Sequence, residues 1–205
     1  MFCKLCDARE NFDIICETSD FSLVFDNYGL HYGHLLLIPR EHVLNLSHAR
    51  FDLRFVVNVI DAMRGFFNSN IVIYEHGNVS ENRTNNISID HAHLHFLPLS
   101  GGVEMIETII ASEATIENTV FQKFYSKKSL EPYHFVSLNG TYSFFTYGVL
   151  QSQAFRKAYS LSENIEKWDW KKEGLSIISE NSQFANRRKG LKEYLSRSLI
   201  YDGIT

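Results

Sequence analysis

The sequence predicts an α+β fold, with five strands and one packed helix in residues 1–100 and a mixed, mainly helical region in residues 101–205. Three patterns carry this prediction: short β-rich runs near the N-terminus, a helical spacing of apolar residues after residue 50, and a final strand with alternating histidines. The pair Gly101-Gly102 separates the two predicted domains, because adjacent glycines favour a loop.

The first three strands are predicted before residue 40. Residues 13–18 and 21–25 are β-rich and are separated by the polar pair Ser19-Asp20, so they are expected to form a hairpin. Residues 33–39 are an apolar run closed by a proline, which predicts a buried third strand.

The predicted helix precedes the last two strands. Residues 51–67 place apolar side chains three and four positions apart, which is typical of a helix packed on a sheet. Residues 71–74 are β-branched and aromatic and predict the fourth strand. The fifth strand carries the histidines and is expected to end at Pro98.

The second domain has fewer structural signals. Residues 103–127 are predicted to be helical, and Tyr133–Val136 and Tyr142–Tyr147 are predicted to form a hairpin. The turn between them is Asn139-Gly140, a strong hairpin signal. The remaining residues alternate helical stretches with turns.

Composition and charge exclude several function classes. The chain has 205 residues, a formal net charge of −4 and a pI near 6.1, which argues against broad binding to nucleic acid. No signal peptide is apparent, no segment reaches the roughly 18 apolar residues of a membrane helix, and three cysteines suit a reducing compartment better than a disulfide scaffold. We therefore expect a cytoplasmic protein without a membrane partner that acts on a small molecule.

The most informative motif is the run His-Ala-His-Leu-His at residues 91–95. Alternate residues of a strand point to opposite faces, so His91, His93 and His95 are expected on one face and Ala92 and Leu94 on the other. Three clustered imidazoles indicate a ligand such as a phosphate or a metal, because their desolvation needs compensation.

A second motif, Cys3-x-x-Cys6, is half of a tetrahedral zinc site. Its spacing alone leaves a redox dithiol or unpaired surface thiols as alternatives. A zinc ion would need two further ligands, and the sequence offers His42, His48, His76 and one histidine of the 91–95 run. A closed site with four protein ligands would be structural.

Together these residues resemble the histidine-triad (HIT) superfamily. The match includes His91-Ala-His93-Leu-His95-Phe96-Leu97, the Gly33–Val43 segment, Val24-Phe25-Asp26 and Ser88-Ile89-Asp90. It covers about the first hundred residues and implies an antiparallel five-stranded sheet. Ile87 departs from the small residue that relatives often carry before the serine.

The resemblance assigns roles to the motif residues. It implies that Cys3, Cys6, His42 and His91 bind a structural zinc ion, and that His93 is a nucleophile that attacks the α-phosphorus of a nucleotide to form a covalent nucleotidyl-histidine. His95 would then donate a hydrogen bond to the phosphate or to the bridging oxygen.

Five further residues are candidates for the site. The resemblance implies that Asp26 binds ribose hydroxyls, that Ser88 donates to the phosphate, and that His34 is an additional active-site histidine. An asparagine that often assists in relatives could be Asn78, Asn82, Asn85 or Asn86. In the second domain, Arg156 could bind a distal phosphate with its guanidinium fork, although a surface ion pair is an alternative.

The predicted function is hydrolysis of a nucleoside phosphate derivative, such as a dinucleoside polyphosphate or a nucleoside phosphoramidate. The resemblance implies that a histidine in the third triad position, His95, favours hydrolases over transferases. A nucleotidyltransferase, a dinucleoside polyphosphate phosphorylase and a non-catalytic nucleotide sensor are the alternatives. Residues 101–205 are expected to supply substrate selection or contacts in a homodimer.

Overall fold

The described residues form an antiparallel sheet with helices on both faces. The structure is a computed structural model, and it describes residues 3–50, 52–80, 90–125, 128–147, 153–173 and 182–200. The strands are β1 (Ile14–Glu17), β2 (Phe21–Phe25), β3 (Leu35–Pro39), β4 (Asn70–Gly77), β5 (Leu94–Leu99), β6 (Glu117–Thr119), β7 (Tyr133–Leu138) and β8 (Tyr142–Tyr147). The helices are α1 (Ala8–Asn11), α2 (Leu53–Phe67), α3 (Glu104–Glu113), α4 (Phe121–Tyr125), α5 (Ala154–Ser162), α6 (Trp170–Glu173) and α7 (Ser182–Ile200), with a 3-10 turn at Leu46–His48.

The prediction of an α+β fold with an antiparallel sheet is confirmed, but the predicted number of five strands is wrong. The sheet has eight strands in the order β1-β2-β3-β5-β4-β7-β8-β6. The extra strands β7, β8 and β6 continue the sheet from β4, whose outer edge would otherwise expose unpaired backbone groups. Local patterns predict strands but not their pairing partners, so the extension of the sheet was not predicted.

The hairpin in the second half is confirmed. Asn139 and Gly140 both have positive φ angles, 53° and 71°, as a two-residue hairpin turn requires. The Asn139 side chain also accepts a hydrogen bond from the backbone N–H of Ile71 at 2.8 Å, which ties the turn to the start of β4.

The predicted helix over residues 103–127 is divided into three elements. Helix α3 ends at Glu113, and the short strand β6 and helix α4 follow. Strand β6 pairs with β8. Glu117 and Asn118 of β6 are polar and exposed, so the apolar spacing that predicted a helix does not include them.

The helix predicted over residues 51–67 is confirmed as α2. Asp52 caps its N-terminus by accepting hydrogen bonds from the backbone N–H groups of Arg54 and Phe55, and Asn68, with a φ angle of 50°, ends it. Helix α7 packs against α2 through leucines spaced by four residues, Leu191, Leu195 and Leu199. Among the described residues, no helix is long and apolar enough to cross a bilayer.

Two apolar layers cover the sheet. One face packs on α2 and α7, and includes Ile71, Ile73, Leu94 and Phe96. The other face packs on α3 and α5, and includes Val72 and Tyr74. The alternation along β4 follows the two-residue period of a strand.

The histidine run lies at the start of its strand. Strand β5 begins at Leu94, so His95 lies within it and His91 and His93 precede it, where the sequence predicted all three within the strand. The predicted alternation of faces is nevertheless present, because Ala92, Leu94 and Phe96 all lie in the core on the α2 side.

Candidate functional site

Two cysteines and two histidines form a cluster near the N-terminus. The Sγ atoms of Cys3 and Cys6 each lie 3.4 Å from Nδ1 of His91, and Cys6 Sγ lies 3.2 Å from Nδ1 of His42. The four residues could hold one metal ion. The structure therefore brings together the four ligands that the resemblance implied.

The geometry of this cluster fits a tetrahedral ion bound by two sulfurs and two nitrogens. With metal–sulfur bonds of about 2.3 Å and metal–nitrogen bonds of about 2.0 Å, neighbouring ligand atoms lie roughly 3.5 Å apart. His91 donates its Nε2–H to the carbonyl of Pro39 at 2.9 Å, so the Nδ1 lone pair faces the two sulfurs. His48 contacts the carbonyl of Ser129, and His76 lies in another cluster.

His93 presents a lone pair for attack. Its Nδ1 lies 2.8 Å from the backbone carbonyl of His91, which can only accept, so Nδ1 carries the proton. The Nε2 atom then has a free lone pair. Burial lowers the pKa of His93 below its ordinary value, while the carbonyl of His91 and the charge of Asp26 oppose the shift, so the imidazole is neutral at neutral pH.

His95 has the opposite tautomer. The backbone N–H of Leu30 donates to Nδ1 of His34 at 3.1 Å, and Oδ2 of Asp26 lies 3.3 Å from the same nitrogen. Because the N–H of Leu30 needs an acceptor there, we assign the proton of His34 to Nε2. That Nε2 lies 2.9 Å from Nδ1 of His95 and donates to it. His95 is therefore left with its proton on Nε2, as a hydrogen-bond donor.

Burial keeps His34 and His95 uncharged. Burial lowers the pKa of His34 to about 3, against the opposing charge of Asp26. Burial, together with the neighbouring histidines His93, His34 and His76, lowers the pKa of His95 well below its ordinary value. Both rings therefore act as neutral imidazoles with fixed tautomers.

A stack of three rings supports His95. The ring of Tyr74 lies parallel to that of His95, with centroids 4.0 Å apart and an interplanar angle of 5°. Phe155 from α5 stacks on the other side of Tyr74 at 3.5 Å. The second half of the chain therefore contributes to the position of His95.

Asp26 and Arg156 lie beside this stack. Asp26 is buried, and its Oδ1 accepts a hydrogen bond from the backbone N–H of Tyr28 at 2.8 Å. Arg156 donates to the carbonyls of Tyr28 and Trp168, at 2.6 and 3.1 Å, and lies 3.7 Å from Oδ2 of Asp26. Its guanidinium thus holds backbone groups as well as facing the carboxylate.

The loop before the histidine run is described only at its ends. Ser88, Asn82, Asn85 and Asn86 lie outside the described residues. Asn78 is described and buried, and its Nδ2 has no hydrogen-bond partner among the residues that the structure describes. Of the four candidate asparagines, Asn78 is the one that lies among the described residues.

Sequence reasoning missed several residues around the histidines. Tyr74 and Phe155 are typical core residues in the sequence, so nothing local marks the stacking of Tyr74 on His95 or of Phe155 on Tyr74. His134 from β7 lies against His76 from β4, with 2.5 Å between their Nδ1 atoms. Alternating positions in the predicted hairpin would have indicated the face of His134, but not its neighbour on β4.

Comparisons with protein-family models and with curated proteins find no match. Comparison with solved structures finds histidine-triad proteins. A HIT-like protein involved in cell-cycle regulation from Bartonella henselae is 22% identical, with 48% of this chain and 77% of that chain covered and a TM-score of 0.39. A hypothetical histidine triad nucleotide-binding protein from Sulfolobus tokodaii is 19% identical, with 84% and 96% covered and a TM-score of 0.41.

A third similar structure is the yeast Ap4A phosphorylase in complex with AMP. It is 11% identical to this chain, with 72% of this chain and 70% of that chain covered and a TM-score of 0.45.

Proposed function

We propose that this chain is a HIT-superfamily enzyme that hydrolyses a nucleoside phosphate derivative at its α-phosphorus through a covalent intermediate on His93. The observation that carries the proposal is the pair of opposite tautomers. His93 presents an Nε2 lone pair, and His95 presents an Nε2–H donor. A nucleophile and a donor two positions apart in the chain are the groups that displacement at phosphorus requires.

In the first step, Nε2 of His93 forms a bond to the α-phosphorus, and the bond from phosphorus to the leaving group breaks. The leaving group takes the bonding electron pair. His95 stabilises the developing charge through its Nε2–H, and His34 keeps the ring in this tautomer. The proton on Nδ1 of His93 stays on that nitrogen throughout and keeps its hydrogen bond to the carbonyl of His91.

In the second step, water attacks phosphorus and the bond to Nε2 breaks. The electron pair returns to His93, the oxygen of water remains on the nucleoside monophosphate, and one proton of the water passes to solvent. Two displacements replace one difficult hydrolysis.

Three other residues are proposed to bind the substrate. Asp26 would accept hydrogen bonds from the ribose hydroxyls. Ser88 would donate to the phosphate, and Asn78 is a second donor, because its buried Nδ2 lacks a partner among the described residues.

The metal proposed for the Cys3, Cys6, His42 and His91 cluster is zinc. Thiolate and imidazole ligands suit this ion, and a four-ligand site supplies structural cross-linking only. The cluster joins the N-terminal segment to the residue two positions before His93. Metal analysis of protein purified without chelator should find one zinc per chain, and Cys3→Ser should lose it and unfold at a lower temperature. Absence of metal would contradict this assignment.

The reaction is tested by product analysis. The protein is incubated with dinucleoside polyphosphates, adenosine phosphoramidate and nucleotide sugars, with and without orthophosphate. Release of a nucleoside monophosphate without orthophosphate supports hydrolysis. A diphosphate product that appears only with orthophosphate indicates a phosphorylase, and tight binding without turnover indicates a sensor.

His93→Ala tests the nucleophile. We expect it to abolish turnover and to leave folding intact, because His93 is half-buried and contacts the backbone of its own segment. His48→Ala is the matched control, since His48 is exposed and lies outside the histidine cluster. Full activity in His93→Ala would overturn the mechanism.

A further inference from the structure

The loop between β2 and β3 carries two residues of the proposed site. It runs from Asp26 to His34, and the backbone N–H of Asp26 donates to the carbonyl of His34 at 3.0 Å, which joins the two ends of the loop. Asp26 is the proposed ribose ligand, and His34 donates to His95. Contacts that hold this loop therefore act on the position of both side chains.

Arginines from two helices of the second half hold the loop. Arg156 from α5 donates to the carbonyl of Tyr28 at 2.6 Å. Arg188 from α7 donates through Nη2 to the carbonyl of Asp26 at 2.8 Å and through Nε to the carbonyl of Tyr32 at 3.3 Å. Because α5 and α7 pack on opposite faces of the sheet, the loop is held from both sides.

Arg188 is fixed by a third contact. Its guanidinium carbon lies 4.9 Å from the centroid of the Phe25 ring, and Phe25 is the buried residue directly before Asp26. A guanidinium presents its donors in a rigid plane, so two carbonyls and one ring leave it a single orientation. These contacts also offset the hydration that a half-buried cation loses. Arg188 is therefore a packed part of the loop's surroundings.

The contacts of Arg188 leave the carboxylate of Asp26 available to a ligand, because they use the backbone carbonyl of that residue. Oδ1 of Asp26 accepts from the backbone N–H of Tyr28. Oδ2 lies 3.3 Å from the unprotonated Nδ1 of His34 and 3.7 Å from Nη1 of Arg156, which is beyond a normal hydrogen bond. Since each carboxylate oxygen can accept two hydrogen bonds, both retain capacity for ribose hydroxyls.

We propose that Arg188 is a positioning residue for the sugar of the nucleotide: by fixing the main chain at Asp26 and Tyr32, it holds the Asp26 carboxylate where it accepts the ribose hydroxyls. This inference rests on the proposed function. The effect of Arg188 is confined to ligands that carry these hydroxyls, whereas a merely structural contact would affect every nucleotide alike. Helix α7 thus determines sugar selectivity without contributing a group to the chemistry at phosphorus.

Calorimetric binding of AMP and GMP, each compared with its 2′,3′-dideoxy form, tests the inference without turnover. We expect the wild type to bind the ribonucleotides about tenfold more tightly than the dideoxy forms. Arg188→Gln should reduce this ratio to about twofold and change the affinity for the dideoxy forms less than about twofold. Arg188→Lys can still donate to one carbonyl and should keep an intermediate ratio. An equal loss of affinity for both forms, or an unchanged ratio, would overturn the proposal.

Arg187→Gln is the matched control. It removes the same charge from the same helix, but Arg187 is exposed and its guanidinium lies 5.4 Å from the centroid of the Tyr32 ring. It should keep the ratio of the wild type, so a reduced ratio would attribute the effect to the lost charge and contradict the proposal. Thermal unfolding establishes that Arg188→Gln is folded, and Arg188→Lys carries the test if it is not.

Asp26→Asn separates failure of the inference from failure of the proposed function. If Asp26→Asn loses the selectivity and Arg188→Gln keeps it, the inference is wrong and the role of Asp26 stands. If the wild type shows no selectivity, or Asp26→Asn keeps it, the proposed ribose contact itself is wrong.

Steady-state kinetics adds a second readout. For a ribonucleotide substrate, Arg188→Gln should raise KM about tenfold and change kcat less than about twofold, because the hydrogen bond from His34 to His95 is made within the first half. A fall in kcat with unchanged KM would overturn the proposal, since Arg188 would then act through His34.

Discussion

The two halves of the chain contribute different things to the same site. Residues before the Gly101-Gly102 pair supply the proposed nucleophile, the proposed donor and the cluster of cysteines and histidines that could hold a metal ion. Residues after it supply supports, among them Phe155 behind Tyr74 and Arg156 beside Asp26. The second half extends the sheet itself, since β7 pairs along six positions of β4. A segment without a chemical motif can thus determine how motif residues are held.

The largest expected effect comes from removing a support in the second half. Phe155→Ala should lower the free energy of unfolding by about 4 kcal/mol, because it leaves a cavity in the layer under α5. It should also lower kcat, because Tyr74 loses the ring that presses it against His95. Chemical denaturation and steady-state kinetics measure both.

Phe144→Ala is the matched control for this prediction. Phe144 lies in the same apolar layer and is equally buried. We expect a similar loss of stability with an unchanged kcat. If both variants lost activity equally, the ring stack would have no specific role in the position of His95.

A buried carboxyl group that joins the halves should make stability depend on pH. Glu75 on β4 accepts hydrogen bonds from Tyr125 and Tyr133 of the second half and from the backbone of Leu46. Burial raises its pKa to about 7, from an ordinary value of 4.5. Since the folded state holds the proton more tightly, this group contributes most below pH 4.5, and its contribution falls as the pH rises to 7.

Glu75→Gln should remove this dependence. Relative to the wild type, the free energy of unfolding of the variant should rise by about 3 kcal/mol between pH 4.5 and pH 7, since each pKa unit corresponds to about 1.4 kcal/mol. The amide can still accept from Leu46 and contact both tyrosines. Glu166→Gln, at an exposed position, is the control. Parallel pH profiles for the wild type and Glu75→Gln would contradict the prediction.

Within the first half, His34 should affect catalysis through His95 alone. His34→Ala removes the N–H that sets the tautomer of His95, so kcat should fall about 100-fold. His34→Gln should recover part of the loss, because its amide N–H can donate to the same Nδ1 atom. Equal kcat values for Ala and Gln would show that the hydrogen bond does not matter.

The smallest effect is expected at Arg156. Arg156→Lys loses one of the two hydrogen bonds to the carbonyls of Tyr28 and Trp168, because an ammonium cannot reproduce the guanidinium fork. Stability should fall by about 1.5 kcal/mol. Arg54→Lys, at an exposed position, should change it by less than about 0.5 kcal/mol.

Arg156→Lys also distinguishes a structural role of Arg156 from a role in substrate binding. A raised KM for a polyphosphate substrate would agree with the predicted phosphate contact of Arg156. An unchanged KM together with the loss of stability would leave the residue as a structural support only.

Several parts of the fold could be predicted because they depend on neighbouring residues. Helix α2 follows from apolar spacing and from a capping aspartate directly before it. The turn at Asn139-Gly140 follows from residues that tolerate positive φ. The prediction of a continuous helix over residues 103–127 was wrong, because strand β6 interrupts it by pairing with β8.

What the sequence by itself determined is the set of chemical groups and their local order: two cysteines at a chelating spacing, and three histidines on alternate positions. The tertiary structure alone decided the surroundings of these groups. It brought His91 to the cysteines, gave His93 and His95 opposite tautomers through the carbonyl of His91 and the ring of His34, and set His134 beside His76. Tautomers and strand partners depend on hydrogen bonds between residues far apart in the chain, and no local pattern encodes them.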